Sequence, residues 1–96
     1  MFIAIMSSKP DSLQARARLK SAHDKYWEKF MSVLRLAGPM LGDDGEARMG
    51  QVLILDVSDR SKAEDIVTND PFFAAGLFTD LVVRRFRVSV EAKAGL

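Results

Sequence analysis

Two short segments of the chain are apolar on both faces of a predicted β-strand. The first is FIAIM at residues 2–6, and the second is VLIL at the start of VLILDV, residues 52–57. A strand in a two-layer domain normally has one face in water, so its residues alternate between apolar and polar. Because these two segments do not alternate, we expect them in the middle of a sheet with both faces covered.

An amphipathic helix is predicted between the first of these strands and the rest of the chain, over about residues 12–31. Apolar residues recur there at helical spacing, while charged residues fill the opposite side. Asp11 or Ser12 can cap its N-terminus. The apolar stripe consists of Leu19, Ala22, Tyr26, Trp27, Phe30, Met31 and Leu34.

Three further strands are expected in the remaining chain. Residues 33–40 and 49–57 are predicted to form a hairpin around the turn Gly42-Asp43-Asp44-Gly45. The last strand is predicted at residues 81–90. Its arginines, Arg84, Arg85 and Arg87, either hold an anion or form a solvated sheet edge.

Two helical segments are predicted between the third and fourth strands. The first covers residues 61–68, with a cap at Ser58 or Asp59, and Asn69 is expected to end it in a left-handed conformation. A short helix at residues 71–75 should follow. Aspartate is a good N-cap and proline a good first helical residue, so Asp70 and Pro71 fit its start, and Gly76 fits its end.

The predicted order β-α-β-β-α-β is the ferredoxin-like pattern, an α+β fold with a four-stranded antiparallel sheet and helices on one face. In that topology the first and third strands are central, as their apolar character requires. The helices cover only one face, and a second copy of the sheet is the simplest cover for the other. We therefore expect one domain over residues 1–96 that forms a homodimer.

Composition excludes several classes of function. The chain has no cysteine and one histidine, which removes thiolate chemistry and any multi-histidine metal site. The net charge of +1 and the lack of aromatic residues on the third strand argue against nucleic acid as a partner. No segment is long enough to span a membrane. The apolar N-terminus lacks the features of a signal peptide, so we expect a cytoplasmic protein.

The single histidine, His23, lies near the centre of the helical apolar stripe. Two interpretations are open. In one, His23 is a core residue satisfied by a backbone carbonyl or a tyrosine hydroxyl. In the other it is a general acid or base, because an unperturbed imidazole titrates near neutrality.

Asp70 also has two interpretations. It can simply cap the short helix, or its carboxylate can hold the imidazole of His23. The helical rise places His23 level with the start of the first strand, and the second helix is expected to return Asp70 to the same end. The topology therefore allows the two side chains to meet.

The chain resembles the YCII-related family over nearly its whole length. The resemblance is carried by the order and spacing of several pieces, and it implies a ferredoxin-like subunit that pairs into a dimeric α/β barrel. It also implies a cleft with a His-Asp pair, which maps onto His23 and Asp70. The matching pieces are FIAI, Arg16, His23, Ala37-Gly38-Pro39, the acidic turn, Gly50, Asp70-Pro71-Phe72 and Ala75-Gly76.

Three positions depart from the family pattern. Lys20 stands where arginine is common, which keeps the charge but loses the bidentate fork. Gln51 stands where serine is common, and Phe72 stands where tyrosine is common and loses its hydroxyl. The resemblance makes Arg16, Lys20, Gly38, Pro39 and Phe72 candidates for binding a small molecule.

The leading hypothesis is a cofactor-independent lyase or isomerase that moves a proton on a small organic molecule. His23 would be the base and Asp70 its orienting partner. One branch of the family looks like a lyase acting on a chlorinated hydroxyquinone, and the fold is similar to muconolactone isomerase.

The alternative is a non-catalytic dimeric module that binds a metabolite or a protein, with a structural His23. A haem or metal monooxygenase would have to rely on His23 as the sole side-chain ligand.

Overall fold

The computed structural model describes residues 1–91. A four-stranded sheet is packed against two helices and one short helical turn. In chain order the elements are β1 (Phe2–Ser8), α1 (Leu13–Glu28), β2 (Leu34–Leu41), β3 (Arg48–Leu55), α2 (Arg60–Thr68), α3 (Pro71–Ala74) and β4 (Phe78–Arg85).

The strand order is β2-β3-β1-β4, and every neighbouring pair is antiparallel. The two doubly apolar strands, β1 and β3, are the central ones, with Ala4 opposite Leu53 and Ile5 opposite Val52. The α+β, ferredoxin-like fold predicted from the sequence is therefore confirmed. Residues 92–96 of the predicted single domain lie outside the described residues.

The two faces of the sheet differ in how they are covered. Alternate residues of β1 and β3 point toward the helices and are buried, among them Phe2, Ala4 and Leu55. They form one core with Trp27, Ala63, Ile66, Val67, Phe72, Leu77, Phe78 and Val83. The intervening residues Ile3, Ile5, Val52 and Ile54 are only half-buried and form the open face.

The last strand was predicted wrongly. It begins at Phe78 and ends at Arg85, several residues earlier at both ends than the expected 81–90. Its first residues pair with the end of β1, which itself continues through Ser7 and Ser8 instead of stopping at Met6. Long-range pairing, with a shift of register between Ile5 and Ser7, therefore set both boundaries.

The helix ends depend on local capping. Asp59 caps α2, and its side chain accepts a hydrogen bond from the backbone N–H of Lys62. Ser12 occupies the N-cap position of α1 without a side-chain cap bond. The left-handed ending predicted at Asn69 is wrong, since its φ is −90°. Asn69 instead uses its side-chain amide to bond the carbonyl of Asp65.

Gly50 allows the central strands to approach closely. It is buried in β3, opposite Ser7, and a Cβ atom there would collide with the carbonyl oxygen of Met6 and the end of Met40. The backbone contact cannot be relieved by a side-chain movement. Glycine at this position therefore allows β1 and β3 to pair next to Gln51, the following residue along β3.

No helix within residues 1–91 is both long enough and apolar enough to cross a membrane.

Candidate active site

His23 and Asp70 are brought into direct contact by α1 and the start of α3. His23 Nδ1 lies 2.7 Å from Asp70 Oδ1, a distance typical of a charge-assisted hydrogen bond. The Asp70 side chain is 8% exposed and that of His23 is 28% exposed. The histidine is therefore satisfied by a carboxylate, not by the carbonyl or tyrosine hydroxyl considered above; the Tyr26 hydroxyl donates to the carbonyl of Ile66.

Asp70 makes a second hydrogen bond that explains its position. The same oxygen, Oδ1, accepts from the backbone N–H of Phe72 at 3.1 Å. This is the N-cap bond of α3, and Pro71 occupies the first turn as predicted from the dipeptide. Capping and contact with His23 are thus not alternatives, because one carboxylate does both.

The level of the pair along the sheet differs from the prediction. His23 lines a cavity whose sheet wall includes Met6 and Gln51, which are paired near the end of β1. It does not lie level with the start of β1. β1 continues through Ser8 instead of ending at Met6, so the rise of α1 from Leu13 to His23 no longer matches the length of the strand.

Phe72 is held between two residues of α1. Its ring is stacked on the His23 imidazole, with ring centroids 3.9 Å apart and planes inclined by 10°. The guanidinium carbon of Arg16 lies 4.8 Å from the centre of the same ring. Arg16 and His23 are two helical turns apart, so Phe72 fixes the imidazole plane while supporting the arginine.

The pair lies between an inner cavity and an outer cleft. The inner cavity has a volume of about 30 Å³, room for one or two water molecules. The outer cleft has a volume of about 400 Å³, within the range of small-molecule sites. Both spaces are lined by Arg16, His23, Gln51 and Phe72.

The other candidate residues predicted from the sequence line the outer cleft. Lys20 does so while paired with Asp24 on the exposed side of α1, at 2.8 Å. Gly38 and Pro39 form part of the β2 wall. Gly38 is opposite Val52 of the open face, so its missing side chain would point away from the cleft, and only its backbone can contribute.

Sequence reasoning missed Arg48. This residue begins β3 and lines the outer cleft together with Arg16 and Gln51. Partial burial, and next the positive charge of Arg48, lower the pKa of Arg16, while Asp70 acts in the opposite direction. The only sequence signal was one arginine beside an acidic turn, which does not reveal where its long side chain goes.

The arrangement is suited to proton transfer. With Asp70 ionised, Nδ1–H donates to the carboxylate and Nε2 is left with its lone pair. A base placed this way accepts a proton at Nε2, and the nearby carboxylate stabilises the resulting imidazolium. Residues 1–91 contain no group of three histidine or carboxylate side chains that could hold a metal ion.

The fold and the site together define a class of protein: a ferredoxin-like domain with a polar cleft beside its first helix. The chain belongs to the YCII-related family, whose domain model matches residues 1–87. The suspected family is therefore confirmed. No curated protein matches the chain.

One solved structure is similar over almost the full length. It is 5-chloro-2-hydroxyhydroquinone dehydrochlorinase (TftG) from Burkholderia phenoliruptrix AC1100, in complex with 2,5-dihydroxybenzoquinone. It shares 33% sequence identity, with a TM-score of 0.75 and coverage of 91% of this chain and 94% of that one.

Proposed function

We propose that this protein is a cofactor-independent lyase or isomerase that moves a proton on a small organic molecule. The observation that carries the proposal is the His23–Asp70 hydrogen bond at the edge of an open cleft of ligand size. The carboxylate is nearly buried, so solvent screens its effect on the imidazole less than at an exposed site. His23 is the base, and Asp70 fixes its tautomer and orientation.

Dehydrochlorination of a chlorinated hydroxyquinol is the most specific form of this proposal. It is supported by the similarity to a dehydrochlorinase that binds 2,5-dihydroxybenzoquinone. In such a step His23 Nε2 takes a proton from the substrate, and chloride leaves with the electrons of its bond to carbon. One molecule of HCl is lost overall: two ring C–OH groups become C=O while one ring carbon exchanges its chlorine for hydrogen, so the hydroxyquinol becomes a hydroxyquinone and no external oxidant is needed.

Release of chloride from 5-chloro-2-hydroxyhydroquinone tests this proposal. We expect the wild-type protein to release chloride well above the rate without protein. Glu28→Gln serves as a matched control, because it alters an exposed carboxylate of the same helix that does not line the cleft, and it should release chloride as the wild type does. Tight binding of 2,5-dihydroxybenzoquinone without any release of chloride would favour the alternative, a non-catalytic metabolite-binding module.

We also propose that the protein is a homodimer that pairs through the open face of the sheet. The support is the apolar surface of Ile3, Ile5, Val52 and Ile54, continued by Leu36 and Val82, which are 41% and 39% exposed. Such a surface is costly to leave in water. Sedimentation at micromolar concentration should give about twice the 10.7 kDa of one chain, and a concentration-independent monomer would contradict it. The expected cytoplasmic location stays a prediction.

A further inference from the structure

The inner cavity is bordered by polar side chains that have hydrogen-bonding atoms to spare. Asp70 uses only Oδ1 in its two hydrogen bonds, to His23 and to the backbone N–H of Phe72. Within residues 1–91 its second oxygen, Oδ2, makes no hydrogen bond, and neither do the indole N–H of Trp27 and the amide of Gln51. Asp70, Trp27 and Gln51 all line this cavity.

Trp27 and Asp70 are almost entirely buried, with 8% and 6% of their surfaces exposed. Buried polar atoms normally meet either a protein group or an ordered water, because leaving them without a partner is costly. In the part of the chain that the structure describes, no side-chain nitrogen or oxygen is both fully enclosed and without a partner. The free atoms of Trp27 and Asp70 therefore reach open space, and the inner cavity is a space that both residues line.

The size and chemistry of the inner cavity select its occupant. Its volume of about 30 Å³ admits one or two water molecules but no organic ligand. The carboxylate of Asp70 disfavours an anion, whereas Arg16 and the indole of Trp27, which can only donate, disfavour a cation. The occupant has to donate to Asp70 Oδ2 and accept from Trp27, and the amide of Gln51 can do either. Water meets these requirements.

We propose that an ordered water in the inner cavity joins Asp70 Oδ2 to the indole N–H of Trp27 and to the amide of Gln51. Trp27 and Gln51 are then positioning residues for the His23–Asp70 pair, since they act on the imidazole through the water and the carboxylate. This inference rests on the proposed function for the role of the pair. Its tests need neither a substrate nor turnover.

The water determines how the carboxylate of Asp70 is used. Oδ1 is occupied by His23 and by the backbone of Phe72, and the water holds Oδ2 on the other side, so the carboxylate does not rotate to exchange its oxygens. Trp27 and Asp70 line the inner cavity but not the outer cleft. A substrate can therefore enter the outer cleft beside His23 without displacing the water.

A high-resolution crystal structure of the wild-type protein without a ligand is the first test. It should contain a water within about 3.2 Å of both Asp70 Oδ2 and Trp27 Nε1, the usual upper limit for such hydrogen bonds. A cavity without an ordered water, or with a water that does not contact Asp70, would overturn the proposal.

The ¹⁵N signal of His23 Nδ1 in the neutral imidazole tests the positioning role. Gln51→Met and Trp27→Phe each remove a group that holds the water. We expect each to move the signal to lower field, because a carboxylate with fewer donors accepts more strongly from Nδ1–H. Since both residues act through one water, the shift in the double variant should be well short of the sum of the two single shifts.

Gln14→Met is the matched control, since Gln14 is exposed on α1 and does not line the cavity. It should leave the Nδ1 signal at its wild-type position. Thermal unfolding checks the fold of each variant, and Gln51→Met keeps the test decisive if Trp27→Phe, which removes core volume, fails to fold. An unchanged signal in Gln51→Met, or fully additive shifts, would reject the positioning role whether or not the protein releases chloride.

Discussion

Two consecutive residues of α1 form side-chain hydrogen bonds of almost the same length in different surroundings. His23 lies 2.7 Å from Asp70, and Asp24 lies 2.8 Å from Lys20. The first pair has side chains 28% and 8% exposed, whereas Lys20 and Asp24 are 69% and 52% exposed. Distance alone therefore does not distinguish a candidate active-site pair from a surface contact.

The surroundings of the two pairs explain what each can do. Water and salt screen the exposed pair, and such pairs contribute little to stability or to chemistry. Asp70 is nearly buried, joins a backbone N–H to an imidazole, and cannot lose either partner without cost. The inner pair is therefore the one whose disruption should change proton transfer, and the outer pair is its counterpart for comparing effects on stability.

The largest expected effect is on turnover when the base is removed. His23→Gln keeps the size of the side chain and some hydrogen bonding to Asp70 but has no group that accepts a proton near neutral pH. Chloride release from 5-chloro-2-hydroxyhydroquinone should fall by roughly 10²- to 10⁴-fold, the usual contribution of general base catalysis. The free energy of unfolding should fall by no more than about 1–2 kcal/mol. Full turnover in this variant would reject His23 as the base.

Substitutions of Asp70 separate its two hydrogen bonds. Asparagine caps helices about as well as aspartate, so Asp70→Asn should change the free energy of unfolding by less than about 1 kcal/mol. It should still lower turnover by about tenfold or more, because a neutral amide stabilises the imidazolium less. Asp70→Ala removes the cap as well and should cost a further ~1 kcal/mol in denaturant unfolding. If Asp70→Asn were silent in turnover, the carboxylate would be a cap only.

The smallest effect should follow disruption of the exposed pair. The hydrogen bond from Lys20, as the largest cause, lowers the pKa of Asp24. A carboxyl whose pKa is lowered by folding stabilises the protein above its unfolded pKa and loses that contribution as the pH falls through the folded value. Asp24→Asn should therefore lower Tm by no more than about 3 °C at pH 7, and the difference should vanish in acid. A larger loss of Tm would mean that water and salt do not screen the Lys20–Asp24 pair.

The sequence was informative where local chemistry or burial decides the structure. The doubly apolar segments located the central strands, and Asp70-Pro71 located the start of α3. The boundaries of β4 depend on pairing with β1 across the sheet, which no local pattern contains.

The site was predictable only in part for a related reason. The inward position of His23 follows from helical periodicity. The contribution of Arg48 depends on how the β2–β3 hairpin brings a long side chain toward α1, and the spacing along the chain does not encode that distance.

The tautomer of His23 tests the central claim most directly. The chain has a single histidine, so every imidazole nitrogen signal in the ¹⁵N spectrum of the untagged protein comes from His23. In the neutral imidazole we expect hydrogen on Nδ1 and a bare lone pair on Nε2, because the Asp70 carboxylate accepts from Nδ1. In Asp70→Asn the amide can donate to Nδ1, so the other tautomer should become populated. Hydrogen on Nε2 in the wild-type protein would contradict the account, because the base would then have no free lone pair facing the cleft.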